Sequence, residues 1–424
     1  MLRFAPSPAG DMHIGDLRVA IFNFIAAKQR EEEFIVRMED IDKNNVVEGK
    51  DQEILDTLAL FGIEYSQVIH QSQNVRFHSA MALQLMHEKK AFSCFCSDAW
   101  LEKKVQEAKD AGKEYGYDDA CRNLPAELVI DNTNPFTVRI TRPDENVIIH
   151  DVVQGDVSFT PDEVDSFIIM NHDKTPTQDF ASAVDDMLSD ISFIVRDKIN
   201  LLHTPKQEHV RNSLAYDKQL KYAHISSISN AKKFTIKQLL EEGYLPEAIL
   251  NYLVSIGNSF TKEVFTINEA IEFVNLSQLN KDTVSFQLSD LRLINQKHLR
   301  DLEAKELSRY VGFADSEIGE LARIYLLEDV ATTKELKAKI APIFKKRIIP
   351  DTLKEQVQTM QECITQAPYF QEYESFKKYV LEQTKLEDKD FEKSLRLLLT
   401  NAENGPELSQ LYKYLKNYLG EIIK

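Results

Sequence analysis

Apolar residues at the start of the chain fall into short runs separated by polar turns. Leu2-Arg3-Phe4-Ala5 reads as a short strand, and a Pro/Ser/Gly turn follows from Pro6 to Gly10. From Ile14 to Gln29, apolar positions near Leu17, Ile21, Phe24 and Ile25 recur at helical spacing. Phe34 to Met38 reads as a second strand, Glu48 to Phe61 as a helix, and Gln67 to His70 as a third strand. Strand, helix and strand at this spacing form a βαβ unit, which favours a parallel sheet with ligands at the strands' carboxyl ends. From Phe77 to Asp173 the pattern changes to a helix, a Cys pair, a polar loop and short strands at Phe136–Ile140, Val147–Ile149 and Asp156–Phe159. This stretch reads as an α+β insertion. The α/β pattern returns from Lys174 to Tyr222, and after Ile225 the chain reads as almost wholly helical.

Composition narrows the class. A length of 424 residues suggests two to four domains, and 43% hydrophobic residues are enough for proper cores. No apolar run approaches the ~20 residues that span a bilayer. The N-terminus lacks the charged-then-apolar layout of a signal segment, and four Cys in a chain this long suit a reducing cytoplasm, so a cytoplasmic protein is expected. The net charge of −17 disfavours coating nucleic acid through bulk charge but leaves room for a local basic face.

The chemistry concentrates near the start, in Arg3-Phe4-Ala5-Pro6-Ser7-Pro8-Ala9-Gly10 and His13-Ile14-Gly15-Asp16. A Pro-rich turn leaves the first strand and ends at a helix N-terminus, where orphan N–H groups favour phosphate. An imidazole there can donate to a phosphoryl oxygen as its charge grows. A lone His-Ile-Gly reads better as a capped helix with an incidental His.

The whole string closely resembles the opening of bacterial glutamyl-tRNA synthetases, whose signature is RFAPSPTG…HIG[GN]. Arg37-Met38-Glu39-Asp40-Ile41-Asp42 resembles their RIEDTD segment, and Gly243-Tyr244-Leu245-Pro246-Glu247-Ala248 with Asn251-Tyr252-Leu253 resembles their GYLPEA…NYL helix. Leu395-Arg396, Leu399-Thr400 and Gly405-Pro406-Glu407-Leu408 resemble the C-terminal domain. The likeness runs from residue 2 to past 410. It implies a Rossmann-type class I synthetase catalytic domain over 1–76 and 174–224, with an inserted acceptor-binding domain over 77–173. A helical stem-contact region over 225–299 and a helical anticodon-binding domain over 300–424 follow. Both belong to an all-α C-terminal half.

The resemblance implies formation of glutamyl-adenylate from ATP and glutamate with Mg²⁺, then acylation of a glutamate- or glutamine-type tRNA by a monomer. Carried over by position, Arg3, Ala5, Ser7, Glu39, Gln178 and Arg196 fall where the family binds the amino acid. Arg3 suits a side-chain carboxylate, since guanidinium pairs bidentately, and Glu39 suits the ammonium. His13 and Gly15 fall in the catalytic ATP pocket beside Asp16.

Departures from the family pattern matter as much. The family's KMSK[RS] loop is missing: after Tyr222-Ala223-His224 the chain reads Ile225-Ser226-Ser227-Ile228-Ser229-Asn230-Ala231-Lys232-Lys233-Phe234-Thr235, a shorter stretch in which Lys232 and Lys233 are the candidate replacements. RGEDH reads Arg196-Asp197-Lys198-Ile199-Asn200, and the Tyr of PTYNFA is Gln178. Asp16 closes the first signature with a carboxylate, which opposes a triphosphate. By contrast, Asp185-Asp186 lies in a stretch that keeps the family pattern. Three readings follow: an ATP-dependent glutamate–tRNA ligase with impaired catalysis, an inactive or repurposed paralogue that binds tRNA or a partner, or a changed enzyme that uses glutamate or glutamyl-tRNA in another transfer.

Cys94, Cys96, Tyr117 and Cys121 have the CxC…Y-x3-C spacing with which some relatives hold Zn²⁺; the alternative is buried thiols in a reducing cell. Cys363 stands alone and reads as core. Lys297, His298, Arg300 and Lys345-Lys346-Arg347 are either tRNA-phosphate contacts or solvated helix faces.

Overall fold

The computed structural model describes residues 1–112, 115–327 and 329–423. Strand β1 (Leu2–Phe4) leads through the Pro-rich turn into helix α1 (Ile14–Gln29), followed by β2 (Phe34–Met38), helix α2 (Lys50–Leu60) and β3 (Gln67–His70). These three strands form a parallel sheet in the order β1-β2-β3, with Arg3 opposite Ile35 and Arg37 opposite Ile69. Helix α1 is buried on nearly every side, so its two buried polar residues need partners. Asn23 donates to Val195 O at 2.7 Å and accepts from Val195 N at 3.3 Å. Arg18 donates to Leu253 O at 3.0 Å and also to Ser226 O.

The middle of the chain holds β4 (Ala91–Cys94), β5 (Thr137–Ile140), β6 (Val147–Asp151), β7 (Gly155–Phe159), β8 (Ile168–Met170), β9 (Phe193–Asp197) and β10 (Lys221–Ile225). They sort in a way that chain order does not suggest. Strands β4, β5 and β8 make a small antiparallel sheet. The β6–β7 hairpin leaves the stretch read as an insertion and joins β9 and β10, giving the order β7-β6-β10-β9. Strand β6 runs parallel to β10 with Asp151 opposite Tyr222, and β9 runs parallel to β10 with Arg196 opposite His224. Short strands with turn signals reveal that a hairpin exists; its pairing partner depends on contacts far along the chain. One hydrophobic core serves both groups, including Ile35, Ile149, Phe159, Phe180, Ile194 and Tyr222.

The described residues form two compact units: 1–236 with 253–261 and 265–286, and 237–252 with 262–264 and 287–424. The second unit is helical, with a core of Leu307, Ile318, Leu336, Val357, Phe376, Leu395, Leu411 and their neighbours. A Cβ at Gly319 would lie 1.7 Å from Ala304 O, so only glycine lets the helices Ala304–Tyr310 and Ser316–Tyr325 approach this closely. Cys363 is half-buried against that core. Several candidate tRNA contacts are committed within the fold. Arg300 donates to Leu326 O at 3.1 Å, and Arg347 donates to four backbone carbonyls including Leu398 O. Lys297 pairs with Glu263, and His298 bonds Asn251 at 2.9 Å. Lys345 and Lys346 remain exposed. Among the described residues, no helix is long and apolar enough to cross a membrane.

Candidate active site

The carboxyl ends of β1, β2 and β9 and the segment after β10 open onto a cleft of about 580 Å³. Arg3, Ala5, Ser7, His13, Gly15, Asp16, Glu39, Gln178, Arg196, Lys232 and Lys233 all line it. Residues from five parts of the sequence thus converge on one cavity.

Around Arg196 the cleft wall is a buried ionic network. The Asp186 carboxylate, 1% exposed, accepts from Arg3 Nε at 3.1 Å and Arg37 Nη1 at 2.5 Å. Burial alone would raise its pKa, but Arg3 and Arg37 outweigh that and hold it at about 2. Beside it, Asp185 accepts from Gln71 and Asn74, each at 2.8 Å, and bonds His78 Nε2 at 2.9 Å. Glu39 accepts from Gln178 Nε2 at 2.9 Å, Ser182 Oγ at 3.0 Å and Arg37 Nη2 at 3.5 Å. Gln178 therefore orients Glu39 from the position where the family pattern has Tyr. Arg196 donates to His224 and Gln207, each at 3.1 Å, and to Thr204 Oγ1. Among the described residues it makes no ion pair. Burial, with Arg3 nearby, lowers its pKa to about 10, which still leaves it a cation at neutral pH.

The wall around the first signature is built differently. His13 is the N-cap of α1: its Nδ1 accepts from Gly15 N at 3.1 Å and Asp16 N at 3.2 Å. The Asp16 carboxylate accepts from His13 N at 3.1 Å, which closes a capping box. With Nδ1 used as acceptor, the neutral imidazole carries its proton on Nε2. Burial, helped by Asp197, raises the Asp16 pKa, while His13 and Lys232 pull it back.

The segment after β10 is stitched down. Arg18 holds Ser226; Ser229 N donates to Val284 O and Val284 N to Ser227 O, each at 2.9 Å. Asn230 exchanges two bonds with the Phe286 backbone at 3.0 and 2.9 Å. Ile14 N then donates to Phe234 O at 3.1 Å, and Ile236 N to Met12 O at 2.9 Å. A Cβ at Gly15 would lie 3.2 Å from the Ala231 Cβ, so the glycine lets this segment pack directly on the signature turn. Lys232 and Lys233 are exposed on the 3₁₀ turn Ala231–Lys233 and form no ion pair among the described residues.

Cys94, Cys96 and Cys121 bring their three Sγ atoms within 4.8 Å of one another. Tyr117 Oη lies 3.3 Å from Cys94 Sγ and 3.4 Å from Cys96 Sγ, and Cys96 is 3.6 Å from Cys121. Burial pushes the Cys96 thiol up to about 12. At Cys94 burial acts the same way, but bonds from Tyr117, the Cys96 backbone and Arg139 win and lower it.

Sequence reading missed Ser182, Gln207, His224 and Asp151. Ser182 lies in the stretch around Asp185-Asp186 and His224 closes Tyr222-Ala223-His224, yet neither was singled out, because each acquires its role from a neighbour on another strand or helix, as do Gln207 and Asp151.

A model of the family described as tRNA synthetases class I (E and Q), catalytic domain, matches residues 1–293. The chain is 56% identical over 433 aligned positions to glutamate–tRNA ligase 2 of Sulfurimonas denitrificans and 44% identical over 433 to glutamate–tRNA ligase 1 of Nitratiruptor sp., covering the whole of each chain. Its fold is similar to a glutamate tRNA ligase from Elizabethkingia meningosepticum in complex with its amino acid. There the TM-score is 0.83 at 21% identity, covering 100% of this chain and 98% of that one.

Proposed function

The chain belongs to the class I tRNA synthetases for glutamate and glutamine, within the glutamate–tRNA ligase family, and from that premise we propose that it activates glutamate with ATP and transfers it to a glutamate- or glutamine-type tRNA. The observation that carries this reading is Arg196, a buried cation that makes no ion pair among the described residues and lines the same cleft as Arg3 and Glu39. A buried unpaired charge is costly, so such a site favours an anionic ligand. Arg3 and Arg196 receive the glutamate side-chain carboxylate, and Glu39 receives the ammonium. The α-carboxylate then attacks the α-phosphorus of ATP and displaces pyrophosphate. Positive charge from the α1 N-terminus, His13 Nε2–H, Lys232 and Lys233 stabilises the phosphoryl oxygens as charge builds on them. Finally a ribose hydroxyl of the tRNA terminus attacks the mixed anhydride and releases AMP.

Among the described residues, the cleft gathers no cluster of three or more carboxylates. Mg²⁺ would enter with ATP, as the counter-ion of its phosphates. Three Cys and Tyr117 offer an S₃O donor set of the kind that would hold Zn²⁺, tying the end of β4 to the loop at Cys121. Equimolar zinc in protein purified without chelator is expected; metal-free, fully folded protein would remove it. The protein is proposed to act as a cytoplasmic monomer.

A second reading is favoured by one observation: the segment 226–235 lacks the family's lysine signature and is bonded down along its length. On that reading the chain binds tRNA or a partner without making adenylate. Aminoacylation with radiolabelled glutamate, ATP, Mg²⁺ and total tRNA separates the two, alongside ATP–pyrophosphate exchange with and without tRNA. Charging at an ordinary rate supports the ligase; absence of both, with tRNA still retained on a filter, supports the second reading.

A further inference from the structure

Asp151, His224 and Arg196 stand near the carboxyl ends of three neighbouring strands, β6, β10 and β9, and all three side chains are buried. His224 and Arg196 are register partners. The Asp151 carboxylate is saturated: Oδ1 accepts from Val153 N at 2.8 Å and Gln154 N at 2.6 Å, and Oδ2 accepts from His224 N at 2.9 Å and Nδ1 at 2.6 Å. An ionised carboxylate accepts only, so Nδ1 carries the imidazole proton and Nε2 is left as an acceptor. That acceptor takes Arg196 Nε–H at 3.1 Å and lies 2.8 Å from Thr204 Oγ1.

The donor count on Arg196 then becomes informative. A guanidinium has five N–H groups. Here Nε is held by His224, one Nη1–H by Gln207 and one Nη2–H by Thr204, which leaves one N–H on each terminal nitrogen. Two remaining donors, one on each terminal nitrogen, are available to a carboxylate. Holding Nε fixes the plane of the fork and therefore where those two donors sit.

We propose that Asp151 and His224 are positioning residues for substrate recognition: Asp151 locks the His224 tautomer, and His224 fixes the Arg196 fork that receives the side-chain carboxylate of the amino acid. This rests on the reading of the cleft as a glutamate site. Two substitutions separate positioning from mere support of the sheet. His224→Asn keeps a donor toward Asp151 but removes the acceptor for Arg196, whereas the longer amide of His224→Gln restores an acceptor near the Nε2 position. Titration calorimetry with L-glutamate and separately with ATP, together with thermal denaturation, is the experiment. Expected are a roughly 10- to 100-fold weaker glutamate Kd in H224N, recovery to within about threefold of wild type in H224Q, and an unchanged ATP Kd in both. If H224N does not fold, D151N takes its place, with the same expected loss through the wrong tautomer. Glutamate binding by H224N equal to wild type overturns the proposal while the cleft reading stands. Equal losses for glutamate and ATP with a lowered Tm reduce the pair to a structural role and overturn it as well. A wild-type protein that binds ATP but no glutamate overturns the cleft reading itself, and the proposal with it.

Discussion

Around Arg196 every charged side chain of the cleft is buried or tied, while around Lys232 the cations are exposed and, among the described residues, form no ion pair. The first wall comes from strands and the helix Gln178–Leu188 and is held by paired Asp–Arg and Asp–His contacts. The second comes from a turn and a short segment held mainly through its backbone. The difference teaches where recognition is already built and where it depends on the ligand. In the first wall the geometry of every donor is settled before anything binds. In the second, the two exposed lysines are not held by the fold, so any anion that draws them in has to order them at a cost in side-chain entropy.

The sharpest way to break this contrast is at Asp186. Asp186→Asn removes the carboxylate that Arg3 and Arg37 share and is expected to lower stability by roughly 3–5 kcal/mol, read from urea denaturation. The sign with pH follows from its depressed pKa. Its contribution is complete above the ordinary carboxylate range near pH 4 and is lost as pH falls through about 2, so the wild type and D186N should converge in strong acid. A loss below 1 kcal/mol would mean that the first wall is not held by its charges. Next in size, Arg196→Ala should reduce kcat/KM for glutamate on the order of 10²–10³ in aminoacylation, with the KM for ATP unmoved. The double variant Lys232→Ala/Lys233→Ala should slow ATP–pyrophosphate exchange on the order of tenfold to a hundredfold while leaving the glutamate Kd alone; full activity would show that the turn lysines are bystanders. Smallest is Asp16→Asn. Asparagine keeps the acceptor for His13 N, so the cap survives, and loss of the negative charge should tighten ATP about two- to fivefold by calorimetry.

Legibility in the sequence differed between the same two walls. The signature turn is local: β1, the Pro-rich turn, the His13 cap and α1 lie within thirty residues of one another, and α1 occupies the span expected from its apolar spacing. Arg3, Glu39 and Arg196 were named through motif resemblance, and they line one cleft. What supports them was hidden. Nothing within the Val147–Asp151 strand announces that Asp151 will meet His224, 73 residues later, because a parallel pair needs a crossover and leaves no local register signal. Asp16 shows the reverse case. Its charge was legible, but its commitment to the His13 backbone was not, since that follows from the cap geometry.

The sequence by itself determined the βαβ opening, the signature turn, the helical character of the C-terminal half and the loss of the lysine signature, since each is written in neighbouring residues or short-period patterns. Only the tertiary structure decided that the Val147–Phe159 hairpin joins the sheet of β9 and β10, that three Sγ atoms and a phenol meet, and that Arg196 is held by a histidine instead of an acid. The physical reason is that burial makes distant polar groups find one another. Which ones meet is fixed by strand order and register, and those are set by the packing of the whole core.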